Sequence, residues 1–251
     1  MSDSTVVFIS GVARGIGRAL TEAYLSRPNH TVIGSVRDRS APNAKTLEAF
    51  PAAAGSRLLL VSIESTSAED VTKAVRDIEA AGVTHLDIVI ANAGICPTPT
   101  SIATVDVKDV TEAFTINTVG PIILYQALLP LLKKSTGSPK WLSVSTGAAS
   151  LERLEVHHAY GVAAYGISKA GMNWFTLAAH SSEKWLTAFA VHPGLVQTDM
   201  GNMGARMQGM ELAPNTLEES TSKTIAILDS ATREKTSGKF INVIDGTEFP
   251  W

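Results

Sequence analysis

Tyr165 and Lys169 stand four residues apart in the stretch AAYGISKAGMNWF, a spacing that puts both on one face of a helix. A free phenol titrates at roughly 10 and is a poor acid–base group near neutrality. A neighbouring ammonium favours the phenolate and lowers that value. Such a tyrosine can release and recover a proton during a reaction. Isolated pairs of this spacing are common on helix surfaces, so the weight of this one depends on its company.

The segment TVVFISGVARGIGRAL reads as a β-run, a glycine-rich turn and a helix. Gly11, Gly15 and Gly17, with Ile16 between the last two, follow the pattern Gly-x-x-x-Gly-x-Gly. Glycine permits positive φ angles and lets the backbone approach a ligand closely. The helix behind the turn offers free N–H groups to a pyrophosphate. Three glycines alone would fit any tight turn, but between a strand and an amphipathic helix they read as a dinucleotide site. The next β-run, TVIGSVRD, bears on the choice of cofactor. Folds that prefer NAD usually end this strand with a carboxylate for the ribose 2′-hydroxyl. Here Val36 precedes Arg37, and Arg14 lies in the glycine turn. Two guanidiniums can grip a 2′-phosphate, which points to NADPH, unless both are solvated surface arginines. Asp38 would return a carboxylate to the site if the register shifted. In IVIANAGI, Asn92, Ala93 and Gly94 place an amide and two small residues at a strand's carboxyl end, the edge where such sheets bind ligands.

Asn117 lies in an apolar helical pattern, TINTVGPIILYQALLPLL, with Pro121 four residues on. Proline has no N–H, so the Asn117 carbonyl loses its usual helical donor and can hold a water instead. Other polar groups fall short of a site. His157-His158 has no third ligand at a metal-binding spacing, so no metal is expected. Cys96 lacks a base to activate it. The methionines at 200, 203, 207 and 210 suit either a core-facing helix face or a flexible substrate cover. The segment 199–214 around them reads as irregular, a mobile lid or a surface loop.

Seven apolar β-runs must carry these residues, at 5–10, 31–36, 57–62, 86–91, 140–145, 187–192 and 239–244. They alternate little, as strands buried on both faces do, and stretches long enough for crossover helices separate them. That order predicts one α/β domain over 1–251 with a seven-stranded parallel sheet wound on both sides. Among 251 residues, 45% are hydrophobic and 18% charged, with a net charge of −3. No basic field attracts nucleic acid or an anionic membrane. No run of consecutive apolar residues approaches the ~18 needed to cross a bilayer, and no signal peptide is visible. With a single cysteine, no internal disulfide can form, and a cytoplasmic location is expected.

Taken together, Gly11/Gly15/Gly17, Asn92-Ala93-Gly94, Asn117, Tyr165-x-x-x-Lys169 and Pro193-Gly194 with Thr198 resemble the short-chain dehydrogenase/reductases in order and spacing. The resemblance spans essentially the whole chain and implies a Rossmann-like fold. It implies that Tyr165 protonates a carbonyl oxygen while hydride arrives from NADPH. Lys169 would bind the nicotinamide ribose and lower the tyrosine pKa, and Asn117 would pass protons through water and lysine to the tyrosine. Asn92 would line the adenine-ribose side, and Val196 and Thr198 would touch the carboxamide. The family's catalytic serine, usually thirteen residues before the tyrosine, is displaced: that position is Glu152. By the resemblance it maps to Thr146, with about six residues inserted within 151–161. A threonine hydroxyl can serve, although its methyl crowds the pocket. Ser145 should face the other side of the strand unless a bulge turns it inward. The last residues, ending in Phe-Pro-Trp, and the stretch KWLTAFAVHPGLVQTDMGNMGAR are similar to a subgroup containing fungal norsolorinic acid ketoreductase. That implies a ketone reductase for a bulky, partly aromatic secondary metabolite. Reduction of a C=N bond and a non-catalytic NADPH sensor or scaffold are the rival readings. The resemblance also implies a homodimer or homotetramer; a monomer is the alternative.

Overall fold

The computed structural model describes residues 4–251. Each expected β-run forms a strand: β1 (Thr5–Ser10), β2 (His30–Val36), β3 (Arg57–Ser62), β4 (Ile88–Ala91), β5 (Lys140–Val144), β6 (Thr187–His192) and β7 (Phe240–Asn242). They build one parallel sheet in the order β3-β2-β1-β4-β5-β6-β7, the doubly wound α/β arrangement the sequence predicts. Alternate residues of each strand enter opposite layers, as the two-residue period of a strand requires. Val6, Phe8, Val89 and Trp141 face one apolar layer with Leu128 and Phe175. Val7, Ile9, Ile90 and Leu142 face the other, with Leu20 and Leu228. Strand order reverses between β1 and β4, which opens a crevice at the carboxyl ends of both.

Three strands are shorter than expected. Leu86 is apolar and fully buried, but its N–H bonds to Leu131 outside the ladder, so β4 starts at Ile88. β5 stops at Val144, just before the turn that carries Thr146. β7 ends at Asn242, whose side chain accepts from the Ile244 N–H at 3.1 Å and turns the chain away.

Among the described residues, eight α-helices cover the faces: α1 (Gly15–Leu25), α2 (Pro42–Glu48), α3 (Ala68–Ala80), α4 (Val107–Phe114), α5 (Gly120–Leu132), α6 (Ala163–Ser182), α7 (Asp199–Met207) and α8 (Leu217–Ser230). A π-turn, Thr115–Val119, joins α4 to α5. The resulting helix, Val107–Leu132, is long and apolar enough to cross a membrane by length and composition. The absence of a consecutive apolar run had not suggested this. The helix packs as a core element, with Leu124, Leu128, Leu131 and Leu132 inside the first layer.

The segment 199–214 is not irregular, as the sequence had suggested: its first nine residues form α7. The Thr198 side chain caps it by accepting from the Gly201 N–H at 3.0 Å, Asp199 sits in its first turn and Arg206 in its last. Only Ala205 of this helix is buried, and Met200 and Met207 are exposed. The methionines therefore do not pack a core.

Candidate active site

The glycine turn connects β1 to α1, and its backbone needs glycine. Gly11 and Gly15 have φ values of +73° and +58°, a region side chains disfavour. A Cβ on Gly11 would lie 3.0 Å from the Ala93 Cα, and one on Gly17 would lie 2.4 Å from the Gly11 carbonyl oxygen. No side chain caps α1 and no acid lies in its first turn, so its leading N–H groups remain free for an anion. A cavity of about 20 Å³, lined by Ser10, Ser35, Ile63, Ala93 and Ile116, opens beside the turn. The turn and the free helix start fit the diphosphate of a dinucleotide, while the cavity has room for about one water.

The β4 end is stitched to this turn. Asn92 Nδ2 donates to the Ser10 and Gly11 carbonyls at 2.9 and 3.3 Å. The Asn92 and Ala93 N–H groups both donate to Ser10 Oγ, at 3.0 and 2.9 Å. Asn92 thus holds the glycine turn, a role that spacing alone did not reveal. Ser10, which the sequence reading missed, is the other half of that stitch; its signal was a hydroxyl at a strand's carboxyl end. The structure does not pair Arg14 with Arg37. Arg14 forms an ion pair of 2.7 Å with Asp199, and both side chains are largely exposed. Arg37 is exposed at the end of β2. The Asp38 carboxylate accepts from both the N–H and the hydroxyl of Ser40, which holds its pKa below the usual carboxylate range.

Tyr165 and Lys169 share α6, with Lys169 3% exposed. The Lys169 ammonium donates to the Val144 carbonyl at 2.8 Å, and burial pushes its pKa down to about 8. Burial pushes the Tyr165 phenol above its ordinary value, Cys96 adds to the rise, and the neighbouring Thr146 hydroxyl partly offsets it. The phenol is therefore raised, not lowered as the pairing with lysine implies, and the Lys169 ammonium is turned to the Val144 carbonyl of β5. Thr146 lies in extended backbone as the cap of a short 3₁₀ turn, Gly147–Ala149. Ser145 points elsewhere: it is 3% exposed, and its hydroxyl donates to Asn173 Oδ1 at 2.6 Å.

Asn117 lies in the π-turn, where the Gly120 N–H reaches the Thr115 carbonyl in place of an α-helical bond. The missing N–H of Pro121 is the local cause of the expected break in the ladder. The fully buried Asn117 side chain accepts from the Ile95 N–H at 2.8 Å and donates to the Ile95 carbonyl at 2.8 Å and Ser168 Oγ at 2.9 Å. Ser168 Oγ in turn donates to the Tyr165 carbonyl at 2.8 Å. Gly94 completes the junction, since a Cβ there would lie 2.8 Å from Asn117 Oδ1 and 3.4 Å from Lys169 Nζ. Asn117, Lys169, Tyr165 and Thr146 thus converge at the carboxyl edge of β4 and β5.

After β6, Gly194 adopts φ +89° and the Pro193 carbonyl accepts from Ser220 Oγ at 2.8 Å. Val196 is buried and bridges Asn215. The Thr198 Cγ2 would lie 3.4 Å from a Cβ on Gly15, so this loop reaches the glycine turn. Cys96 stands within electrostatic range of Tyr165 and Lys169, and burial raises its thiol to about 11, leaving it neutral. No cluster able to hold a metal occurs among the described residues.

A family model described as short chain dehydrogenase matches residues 5–208. The chain is a short-chain dehydrogenase/reductase. It is 52% identical over its whole length to a short-chain dehydrogenase of Neurospora crassa, srdF, covering 99% of that protein. It is 38% identical to the norsolorinic acid ketoreductase of Aspergillus parasiticus, over 99% of this chain and 92% of that one. Among solved structures, the NADPH-bound carbonyl reductase from chicken fatty liver superposes with a TM-score of 0.85 at 26% identity, over 99% of this chain and all of that one. Short-chain dehydrogenase/reductases are oxidoreductases that use nicotinamide cofactors on small-molecule substrates and are commonly oligomeric.

In this short-chain dehydrogenase/reductase the stretch inserted before the tyrosine is a surface turn followed by a 3₁₀ turn, Ala159–Val162. Leu151, Leu154, Val156 and Tyr160 are exposed on it. His157 stacks on Phe249, with ring centroids 5.3 Å apart. Neither that contact nor the placement of Phe249 was foreseen, because the partners lie 92 positions apart in a segment without a motif.

Proposed function

We propose that this chain is an NADPH-dependent ketoreductase acting on a carbonyl of a bulky, partly aromatic secondary metabolite, with Tyr165 as general acid. The observation that carries this reading is the convergence of Tyr165, Lys169 and Asn117 through Ser168, Gly94 and Val144, with the Thr146 turn beside them. The turn at Gly11, Gly15, Ile16 and Gly17 would hold the cofactor's diphosphate. Arg14 and Arg37 would take the 2′-phosphate; the exposed Arg14–Asp199 pair is a weak competitor, because such pairs contribute at most about 1 kcal/mol. Asn92, Ala93 and Gly94 would flank the ribose next to adenine, and Lys169 the other ribose. Pro193, Gly194, Val196 and Thr198 would border the carboxamide. Bound there, a reduced nicotinamide supplies the hydride.

The protein's own part is proton transfer and positioning. A phenol raised by burial stays protonated at neutral pH, the state a donor to a carbonyl oxygen requires. The Thr146 hydroxyl donates to the same oxygen as charge develops on it. Lys169 stabilises the phenolate left behind, and the Asn117 carbonyl holds the water that returns a proton through the lysine. Exposed Leu151, Leu154, Val156, Met200, Met207 and Leu212 lie on the segments that follow β5 and β6, and they suit an apolar substrate of some size. The similarity to norsolorinic acid ketoreductase supports the same substrate class.

Tyr165→Phe is expected to lower turnover at least ~100-fold and leave NADPH binding near wild type. Turnover measured against a panel of ketones checks this, and retained activity would remove Tyr165 as the acid. With labelled NADPH, label arrives on a carbinol carbon under this reading and on an amine carbon if a C=N bond is reduced. Tight NADPH binding with no oxidation across the panel would favour a cofactor sensor. We further propose a cytoplasmic protein that self-associates through α4 and α6, where Val107, Phe114, Ile167 and Trp174 stand exposed.

A further inference from the structure

Two distant parts of the chain pack against the turn that carries Thr146. One is α6, where a Cβ on Gly166 would lie 3.1 Å from the Ala148 carbonyl oxygen. The other is the segment 247–251, far away in sequence. A Cβ on Gly147 would lie 3.4 Å from Phe249 Cζ and 3.5 Å from His157 Cε1, so these ring edges rest on the backbone immediately after Thr146. Phe249 is itself enclosed by aromatic rings, with centroids 5.0 Å from Phe240, 5.3 Å from His157 and 5.6 Å from His192.

The segment is fastened at both ends. An antiparallel bridge joins Ile241 to Glu248, and the Phe249 N–H donates to the Phe240 carbonyl at 2.6 Å. The Trp251 ring stacks on Phe240 at 5.4 Å, and its carbonyl accepts from the Leu151 and Glu152 N–H groups at 3.0 and 3.2 Å and from Ser150 Oγ at 3.3 Å. These three residues follow the Thr146 turn directly. The catalytic proposal assigns nothing to this segment, yet together with His157 it supplies the atoms nearest to a Cβ on Gly147.

We propose that the segment 247–251 is a strap that presses the 146–149 turn onto α6, with Phe249 as the positioning residue for the Thr146 hydroxyl. The proposal rests on the reading of Thr146 as partner to Tyr165. Hydroxyl-to-phenol geometry tolerates little slack, because hydrogen bonds weaken steeply off axis. Removing the Phe249 ring therefore lets the turn move while the glycine turn, Lys169 and the sheet stay in place.

A double-mutant cycle tests this on the full chain, with turnover of one small ketone, KM and NADPH binding measured for each variant. Phe249→Ala is expected to lower kcat about tenfold, with KM and NADPH binding changed less than about threefold. The alkaline limb of its kcat profile should also move up in pH, because the hydroxyl that favours the phenolate is displaced. Thr146→Ala lowers kcat further, and the double variant is expected to be no slower than Thr146→Ala alone, since Phe249 acts through that hydroxyl. Phe249→Tyr should restore kcat. Losses that multiply in the double variant would overturn the strap and leave Thr146 its role. Wild-type kcat in Thr146→Ala would overturn the reading beneath it and the strap with it. If Phe249→Ala fails to bind NADPH, Phe249→Leu and Trp251→Ala carry the same cycle with the same expected non-additivity.

Discussion

Lys169 brings an ammonium to a place with almost no solvent and gives it one carbonyl, that of Val144, as its nearest oxygen partner. Desolvation disfavours the charged form and holds its pKa at about 8, below the 10.5 of a free lysine. Between those two values the unfolded chain binds more protons than the folded one, so stability rises with pH across that window. Below about pH 8 the buried charge costs the fold at most about 3 kcal/mol, and the cost fades by about pH 10.5. Lys169→Met removes this dependence. Urea unfolding of both proteins from pH 7 to 10 should show wild type gaining about 2–3 kcal/mol on the variant. Parallel curves would mean that the ammonium is not desolvated. The sequence spacing revealed the Tyr165–Lys169 pair, but not the dominance of burial over charge. Burial depends on Val144, Gly94 and Asn117, which come from three other elements. The direction of Ser145 was legible for a simple reason: side chains alternate along a strand, and Ser143 and Ser145 both turn toward α6, where they meet Thr176 and Asn173.

At the scale of elements, α1 and its glycine turn form the most constrained join in the molecule. The turn was readable because only glycine meets two demands there, positive φ at Gly11 and Gly15 and contact distance at Gly17. Gly17→Ala would drive a Cβ to 2.4 Å from the Gly11 carbonyl oxygen and 2.5 Å from Asn92 Nδ2, both fixed groups. We expect a stability loss of about 1–3 kcal/mol and loss of measurable NADPH binding, read by thermal melting and fluorescence titration. Normal binding would show that the stitch from β4 can yield. The parallel strands were readable because both faces are buried, which leaves uninterrupted apolar runs. α7 was not, since Gly201 and Gly204 lower helix propensity over a short span. Its signal was the cap: Thr198 followed by Asp199, with methionines three and four residues apart.

For the whole molecule, α4 and α6 expose large apolar side chains, as do the 151–160 stretch and α7. Trp174 is 73% exposed and Val107 74%, although neither helps to build the layers beneath. Trp174→Glu is expected to leave the melting temperature of the subunit within a few degrees of wild type and to convert an oligomer to monomer in sedimentation velocity. A wild-type protein that already sediments as a monomer would remove this face as an interface. The strap has a different consequence, one that concerns the order in which the molecule is made. Apart from Thr198 and Asp199, the residues that contact the glycine turn lie before Ile95, so a nascent chain has the sequence for the diphosphate turn early in its synthesis. Ser150 and Trp251 are separated by 101 positions, and their bond closes the turn that bears Thr146. Under the strap reading, a growing chain has the sequence of its diphosphate turn long before that of its strap, and full proton-transfer rate comes only once 247–251 have packed against the 146–149 turn.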